Sequence, residues 1–223
     1  MTGLPPPAGR GASSPGPADY PVSLVVAGRR CVVVGAGRIA ARRIASLLDA
    51  GGDVVVVAPA AGEAVRAWAA EGRLTHVERP FVPSDLDGAW LAFTATGDPA
   101  VDRSVTVAAA AARVWCNTAD DPGLGSFRAV SAFRRGDLVV TVGTGGRSPA
   151  LAAWLRRRLE RTVGPEYATL VEVLAAARER LQEEGRPTED ADWQSALDSG
   201  MLELIRAGRV GEAEELLRAC LWS

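Results

Sequence analysis

Three small residues with a fixed spacing, Gly35, Gly37 and Ala40, are the clearest chemical feature of the sequence. They follow the apolar run 31–34, which predicts a buried strand, and they open a segment with helical periodicity. In a Gly-x-Gly-x-x-Ala turn, the first glycine permits a tight bend, the second lets backbone approach a diphosphate, and the alanine allows the helix to pack on the strand. Free amides at the start of the helix attract the same anion. The spacing therefore predicts a turn that binds the diphosphate of a dinucleotide.

The position that usually binds the ribose of a dinucleotide carries no acid. A second apolar run, 54–57, follows the helix, and in NAD sites an Asp or Glu near the end of this strand binds the ribose hydroxyls. Here the chain continues with Ala58, Pro59 and Ala60. The residues alone therefore leave the choice between NAD and NADP open.

Composition excludes several kinds of chemistry. All 25 basic residues are arginine, so a phosphate-binding lysine of the Walker type and a Schiff-base lysine are both impossible. The single histidine, His76, has no second histidine or cysteine nearby to form a zinc site, and we expect it on an exposed strand. We predict no metal site, and any acid–base catalysis falls to carboxylates, tyrosines, a cysteine or water.

Polar residues follow two later strands of the predicted sheet. The segment 94–98 comes at the end of one strand, and the segment 117–121 at the end of the next. Ligands of open parallel sheets bind beyond the carboxyl ends of the strands, so both segments should face the crevice. A second glycine-rich turn, 143–147, precedes Ser148 as a helix N-cap and Pro149 as the first helical residue. This turn is either a second anion site or an ordinary helix cap.

Length, composition and charge narrow the class of protein. The 223 residues, 48% of them hydrophobic, suffice for one main domain and a smaller appendage. A net charge of −2 gives no general attraction to nucleic acid, and no apolar run reaches the ~18 residues of a membrane span. Residues 1–18 are rich in proline, glycine and serine, which predicts a disordered leader. Cys31, Cys116 and Cys220 are far apart, which is typical of reduced thiols. We therefore expect a cytoplasmic protein that binds neither nucleic acid nor a membrane.

The order of the predicted elements is that of an α/β protein. Strands and helices alternate over 19–128, which predicts a Rossmann-type doubly wound parallel sheet that binds the dinucleotide. Residues 129–163 depart from this order, because two strand-like runs flank the turn 135–137 and predict a β-hairpin. We expect this segment to serve dimerisation or substrate binding, and the chain to form a homodimer. Residues 164–223 show only helical periodicity and predict an all-helical C-terminal domain.

Four stretches of the sequence, taken in order, resemble one family. They are YPVSLVVAGRRCVVVGAGRIAARR, FTATGDPAVD, CNTADDPGLGSF and VGTGGRSPALAAWLRRRLE. In this order and spacing they resemble the NAD-dependent precorrin-2 dehydrogenases, including the dehydrogenase part of siroheme synthases, over residues 20–223. The missing acid after the second strand also fits, since such sequences often have Ala-Pro there.

The resemblance implies a reaction and a catalytic residue. Precorrin-2 would lose a hydride to NAD and give sirohydrochlorin, on the path to sirohaem. Asp120 aligns with the functional aspartate of the family and would be the general base, a role that suits a carboxylate on a predicted crevice loop. Asp121 is the alternative, although an Asp before Pro often only starts a turn.

Further site residues are expected around the glycine turn and Asp120. The predicted cofactor-binding residues are Gly35, Gly37, Arg38, Ile39, Pro59, Ala60 and Thr96. The predicted substrate-binding residues are Asn117, Ser126, Phe127, Arg128, Gly146, Arg147 and Ser148. The two arginines are included because precorrin-2 carries a ring of carboxylates, which guanidinium groups bind well.

Other functions stay open beside this one. Some members of the family also insert iron into sirohydrochlorin, and the sequence does not decide whether this chain does so. Since the sequence ends at residue 223, we expect no fused methyltransferase. A dinucleotide-sensing module of a transporter or a repressor is the alternative from another class. It is disfavoured because a transporter module usually keeps the ribose acid, and because the segment before the glycine turn is too short for a DNA-binding domain.

Overall fold

The computed structural model describes residues 19–119, 121, 123–189 and 191–222. The chain forms two compact units, with the boundary between Arg128 and Ala129. Each unit has its own hydrophobic core.

The first unit is a parallel sheet of five strands with helices between them. The strands are β1 (Arg30–Val34), β2 (Asp53–Val57), β3 (Thr75–Val77), β4 (Leu91–Thr94) and β5 (Trp115–Thr118). The helices are α1 (Arg38–Asp49), α2 (Glu63–Ala70) and α3 (Pro99–Ala112), and a short 3-10 helix spans Pro83–Leu86. The strand order is β3-β2-β1-β4-β5, which confirms the predicted doubly wound sheet. Because β1 pairs with both β2 and β4, the direction of winding reverses between β1 and β4.

Both faces of this sheet are buried, as expected for parallel strands. Alternate residues of β1 belong to different cores: Val33 packs in one cluster with Ile44 of α1, and Val32 packs in the other with Val105 of α3. Ala40 is completely buried in the first cluster. The valine runs of the sequence thus give the strands their two apolar faces.

The second unit consists of a β-hairpin followed by helices, as predicted. The hairpin pairs β6 (Ser131–Arg135) with β7 (Leu138–Val142) in antiparallel register, and Gly136 in its two-residue turn has a φ of +55°. The helices are α4 (Pro149–Thr162), α5 (Glu166–Glu183), α6 (Trp193–Asp198), α7 (Met201–Arg206) and α8 (Val210–Leu221). Apolar residues of the last four helices form the core of this unit.

The last residue of β6 fastens the hairpin to the end of α4. The Arg135 guanidinium donates to the backbone oxygens of Glu160 and Val163, at 3.0 and 3.1 Å. Carbonyl groups in the last turn of a helix lack partners within the helix, so this side chain stabilises the end of α4. Among the helices in the described ranges, none combines the length and apolar character that crossing a membrane would need.

Candidate dinucleotide-binding site

The glycine turn lies at the point where the winding of the sheet reverses. Gly35 follows β1 directly, and its backbone N–H donates to the Val57 oxygen at the end of β2, at 3.0 Å. On the other side, the Ala95 N–H donates to the Val34 oxygen, also at 3.0 Å. Gly35 has a φ of +104°, and a Cβ there would lie 2.5 Å from the Ala95 oxygen. Only glycine fits this position, because both the backbone angle and the space exclude a side chain.

Gly37 and the first turn of α1 offer a place for an anion. Gly37 is the N-cap of α1, and no side chain caps this helix. The helix has no acidic residue in its first turn, so nothing there opposes the partial positive charge of its start. A Cβ at Gly37 would have no atom of the described residues within 4 Å. The protein's own packing therefore does not require this glycine, whereas a closely approaching diphosphate would. The predicted cofactor residues Arg38 and Ile39 begin the helix and are exposed.

The loop between β2 and α2 borders the glycine turn. The Gly62 N–H donates to the Ala36 oxygen at 3.0 Å. Pro59 and Ala60, both predicted to border the ribose, are exposed in this loop. His76 was expected on an open surface but is half-buried, because its Nε2 bonds the Ala58 oxygen at 3.0 Å. His76, on the edge strand β3, is thus hydrogen-bonded to the backbone directly after β2.

A buried carboxylate organises the loop after β4. Asp102 on α3 is 5% exposed, and its Oδ1 accepts from the Thr94 hydroxyl, from the Thr96 hydroxyl at 2.6 Å and from the Thr96 N–H at 3.3 Å. The Thr96 hydroxyl also accepts from the Asp98 N–H at 3.0 Å. The side chain of Thr96, a predicted cofactor residue, is therefore hydrogen-bonded to the protein itself. Its backbone lies beside Gly35.

Three of the predicted substrate residues join a short segment to β5. The Cys116 N–H donates to Ser126 Oγ at 2.8 Å, and the Ser126 N–H donates back to the Cys116 oxygen at the same distance. Asn117 Nδ2 donates to the Phe127 oxygen at 3.0 Å. The Phe127 ring meets Phe93 of β4 edge to face, with centroids 5.3 Å apart. The structure thus brings Asn117, Ser126 and Phe127 together. The Asn117 and Ser126 side chains bond residues 126–127 to β5.

Asp120, the predicted general base, lies outside the described residues. The residue before it, Ala119, donates its N–H to the Thr94 oxygen at 3.0 Å. Asp121 Oδ1 accepts from the Gly123 N–H at 2.9 Å, which is the turn geometry expected of an Asp before Pro. Arg128 is half-exposed and forms an ion pair with Asp19.

The remaining predicted substrate residues belong to the second unit. Gly146 has a φ of +77° and stands in a turn in which the Arg147 N–H donates to the Thr144 oxygen at 3.0 Å. Ser148 is the N-cap of α4, as predicted, and its Oγ accepts from the Leu151 N–H at 3.3 Å. The Arg147 side chain is exposed.

The described residues near the crevice do not supply an activated thiol. Burial raises the pKa of the Cys116 thiol to about 11, and the negative charge of Asp102 acts in the same direction. The hydrogen bond with Thr106 lowers this pKa, but its effect is smaller than that of burial. Cys116 is therefore a neutral packing residue at neutral pH. Within the described ranges, no three histidine, cysteine, aspartate or glutamate side chains are grouped as a metal site would require.

Comparison with known proteins agrees with this arrangement. A family model for NAD(P)-binding proteins matches residues 22–131, and a model for the central part of a sirohaem biosynthesis protein matches residues 135–162. The siroheme synthase of Nitrosococcus oceani is 34% identical over 203 residues, which is 90% of this chain and 43% of that protein. The siroheme synthase of Escherichia coli K12 is 39% identical over 164 residues, which is 74% of this chain and 36% of that protein. The chain thus spans less than half the length of these relatives.

A solved structure resembles nearly the whole chain. It is SirC, a precorrin-2 dehydrogenase, with a TM-score of 0.70 and 25% identity. The match covers 90% of this chain and 100% of that one. The fold and the glycine turn define the first unit as an NAD(P)-binding Rossmann domain. Both family models match in order along the chain, which is therefore similar in sequence to the siroheme synthases and in fold to this precorrin-2 dehydrogenase.

Two residues that shape the site were not predicted from the sequence. In the sequence, Asp102 is one acid in an alanine-rich helix, and no motif marks it. Its spacing of eight residues from Thr94 is the one signal that could have suggested a hydrogen bond between them. Arg66 on α2 donates to the Ala61 oxygen of the β2–α2 loop, and no local motif indicates this contact.

Proposed function

We propose that the chain oxidises precorrin-2 to sirohydrochlorin in sirohaem biosynthesis, with NAD as the hydride acceptor. The observation that carries this proposal is the glycine turn, with Gly35 against Ala95 and Gly37 open, at the winding reversal of the sheet. It occurs in a chain that covers the whole of a solved precorrin-2 dehydrogenase. The identity of the substrate is inferred from the four sequence stretches that resemble this family.

The cofactor half of the site is proposed to work through backbone groups. The uncapped start of α1 would bind the diphosphate by its free N–H groups, and Gly37 would let it come close. Arg38 and Ile39 would lie beside the diphosphate, and Pro59 and Ala60 would border the adenosine ribose. When bound, the nicotinamide supplies the electron sink of the reaction, since it takes up the hydride that precorrin-2 loses.

Asp120 is proposed as the general base that removes the proton accompanying hydride loss. The support is the family resemblance and its place in the sequence, two residues after β5 ends, since ligands of this fold bind beyond the carboxyl ends of the strands. His76 is engaged with the Ala58 oxygen at the far edge of the sheet, and the chain has no other histidine. Histidine is therefore a poor candidate for the base, whereas a carboxylate suits the role.

Residues of each unit are proposed, separately, as contacts for the substrate. Arg128 and Arg147 would bind carboxylates of the tetrapyrrole, and Gly146 and Ser148 would present the start of α4 to another carboxylate. Asn117, Ser126 and Phe127 would form a wall of the pocket through the segment that they hold against β5.

The reaction can be tested with precorrin-2 generated in situ, by following nicotinamide reduction. Asp120→Asn is expected to lower the rate on the order of 10²-fold or more, as for loss of a general base. Asp121→Asn is the matched control, because the Asp121 carboxylate is bonded to the Gly123 N–H and its loss should leave most of the rate. An Asp120→Asn variant as fast as the wild type would remove Asp120 from its role, and a wild type without turnover would refute the reaction.

A homodimer in the cytoplasm is proposed as the working form. Leu151 and Trp154 lie one turn apart on α4 and are 47% and 50% exposed, and Val130 beside the hairpin is 48% exposed. Large apolar residues grouped on a surface are typical of an interface. The cytoplasm is favoured by the buried thiols of Cys31 and Cys116, which form no disulfide.

A further inference from the structure

One buried carboxylate oxygen joins α3 to the end of β4 and to the loop that follows, the β4–α3 loop (residues 95–98). Asp102 lies in the first turn of α3 and is 5% exposed. Its Oδ1 accepts from the Thr94 and Thr96 hydroxyl groups and from the Thr96 N–H. Thr94 is the last residue of β4. A carboxylate is costly to bury unless it is well hydrogen-bonded, and these bonds fix the backbone of the loop relative to the sheet.

The backbone that Asp102 fixes is the part of the loop nearest to the glycine turn. A Cβ on Gly35 would lie 2.5 Å from the Ala95 oxygen and 3.2 Å from the Thr96 nitrogen. This nitrogen is the one whose N–H Asp102 accepts. The next residue, Gly97, is exposed and has a φ of +75°. The loop thus opens to solvent directly beyond the position that the carboxylate holds.

The two sides of the glycine turn face different halves of a dinucleotide. β1 pairs with β2 on one side and with β4 on the other, and a dinucleotide of this fold lies across the crevice at the winding reversal. In the proposed function, Pro59 and Ala60 after β2 border the adenosine ribose. The β4–α3 loop, on the other side of the turn, is therefore placed for the nicotinamide half.

We propose that Asp102 is a positioning residue for the nicotinamide half of the dinucleotide, because it holds the β4–α3 loop where the loop's backbone contacts the nicotinamide ribose. The carboxylate itself is buried and acts through Thr94 and Thr96. The proposal deepens the proposed function and rests on its dinucleotide site. It does not depend on the identity of the tetrapyrrole or on Asp120.

Titration of the purified full chain with NAD and with ADP tests this role, with isothermal titration calorimetry as the readout. ADP carries the adenosine and the diphosphate of NAD but lacks the nicotinamide ribose. Asp102→Ala should raise the Kd for NAD about tenfold and leave the Kd for ADP within about twofold of wild type. A carboxylate that only stabilised the fold would not distinguish the two ligands.

Two conservative substitutions follow the effect along the contacts. Asp102→Asn keeps a side-chain oxygen as acceptor and should return the Kd for NAD to within about threefold of wild type. Thr96→Val keeps the shape of the side chain but removes its hydroxyl group, and it should raise the Kd for NAD about threefold with no change for ADP. This variant leaves the buried carboxylate in place, so it tests the proposal even if Asp102→Ala does not fold.

Asp85→Ala is the matched control for lost stability. Asp85 is a second buried carboxylate of the same unit, 7% exposed, and its removal changes the net charge equally. Its backbone oxygen accepts from Arg30 Nη2 at 3.4 Å, and Arg30 is the first residue of β1, at the strand end opposite to the glycine turn. This variant should bind NAD and ADP as the wild type does.

Several results would overturn the role of Asp102. They are an unchanged Kd for NAD in Asp102→Ala, an equal loss of NAD and ADP, a loss of NAD in Asp85→Ala as large as in Asp102→Ala, and a Thr96→Val variant that binds NAD as tightly as the wild type. Precorrin-2 oxidation with NAD, measured separately on the wild type, distinguishes the two proposals. A chain that turns over but whose NAD binding ignores Asp102 keeps the proposed function and loses the positioning role. A wild type that binds no dinucleotide loses both.

Discussion

Gly35 and Ala95 approach so closely that a Cβ on Gly35 would lie 2.5 Å from the Ala95 oxygen and 2.8 Å from its carbonyl carbon. The contact joins the ends of β1 and β4, the two strands between which the winding of the sheet reverses. Gly37, two residues further along, has no such neighbour among the described residues. We therefore expect the two glycines of one motif to serve different purposes, Gly35 in folding and Gly37 in binding.

We expect this difference to separate stability from binding. Gly35→Ala should lower the free energy of unfolding by about 3 kcal/mol, because it combines an unfavourable φ with a backbone clash. Gly37→Ala should change it by less than about 1 kcal/mol yet weaken dinucleotide binding. Urea unfolding and a dinucleotide titration of both variants measure the two effects. Wild-type binding by Gly37→Ala would contradict the close approach of a diphosphate.

The buried carboxylate of Asp102 should contribute to both the stability and the shape of the crevice. Asp102→Ala leaves the Thr94 hydroxyl and the Thr96 N–H without their acceptor, which should cost about 3 kcal/mol in urea unfolding. Asp102→Asn keeps a side-chain oxygen and should cost about 1 kcal/mol. Ser104→Ala, at an exposed position of the same helix, serves as the control. If Asp102→Ala were as stable as this control, the network around Oδ1 would be without energetic effect.

Stability in acid should depend on Asp85. This carboxyl is 7% exposed, and the hydrogen bonds from the Arg79 guanidinium, at 2.9 and 2.5 Å, hold its pKa below the usual range, with the Val82 N–H adding to the lowering. A lowered folded-state pKa contributes stability above the unfolded value of ~3.9, and this contribution is lost as pH falls through the folded value.

Asp85→Asn should therefore lower the free energy of unfolding by about 2 kcal/mol at neutral pH. The difference from wild type should shrink below about pH 4, where the unfolded-state carboxyl becomes protonated. Thermal or urea unfolding across this pH range is the measurement. Asp87→Asn, an exposed acid at the end of the same 3-10 helix, should show neither effect. A constant difference at all pH values would contradict the assignment.

The exposed face of α4 predicts how the oligomer can be disrupted. Trp154→Glu places a charge on the surface formed with Leu151, and we expect the molar mass measured by light scattering after gel filtration to fall from dimer to monomer. Trp115→Glu, at a 58% exposed tryptophan of the first unit, should leave the mass unchanged. A monomeric wild type would refute the proposed dimer.

The sequence predicted those features that depend on local pattern. The valine runs gave the strands, the spacing of Gly35, Gly37 and Ala40 gave the turn, and Gly136 marked the hairpin. Helical periodicity after residue 164 predicted helices, but it did not show that separate helices are divided at Gly200 and Gly208, where φ is +89° and +74°.

The contacts that no pattern predicted are side-chain contacts between different elements. Asp85 binds Arg79 because a 3-10 helix turns its carboxyl inward, and His76 is half-buried because β3 pairs beside the end of β2. Asp102 reaches Thr94 only after α3 has packed on the sheet. Each of these three contacts depends on how the elements pack on one another, and hydrophobic periodicity carries no information about that packing.

The segment that Ser126 and Phe127 hold against β5 has an effect beyond the crevice. β5 is the last strand of its sheet, and a free strand edge can pair with a strand of another molecule. Ser126 occupies both the N–H and the oxygen of Cys116, and the Asn117 side chain holds the Phe127 oxygen. The bonds proposed to build a wall of the pocket thus also occupy the backbone groups of Cys116 in the last strand, so that these groups cannot pair with a strand of another molecule.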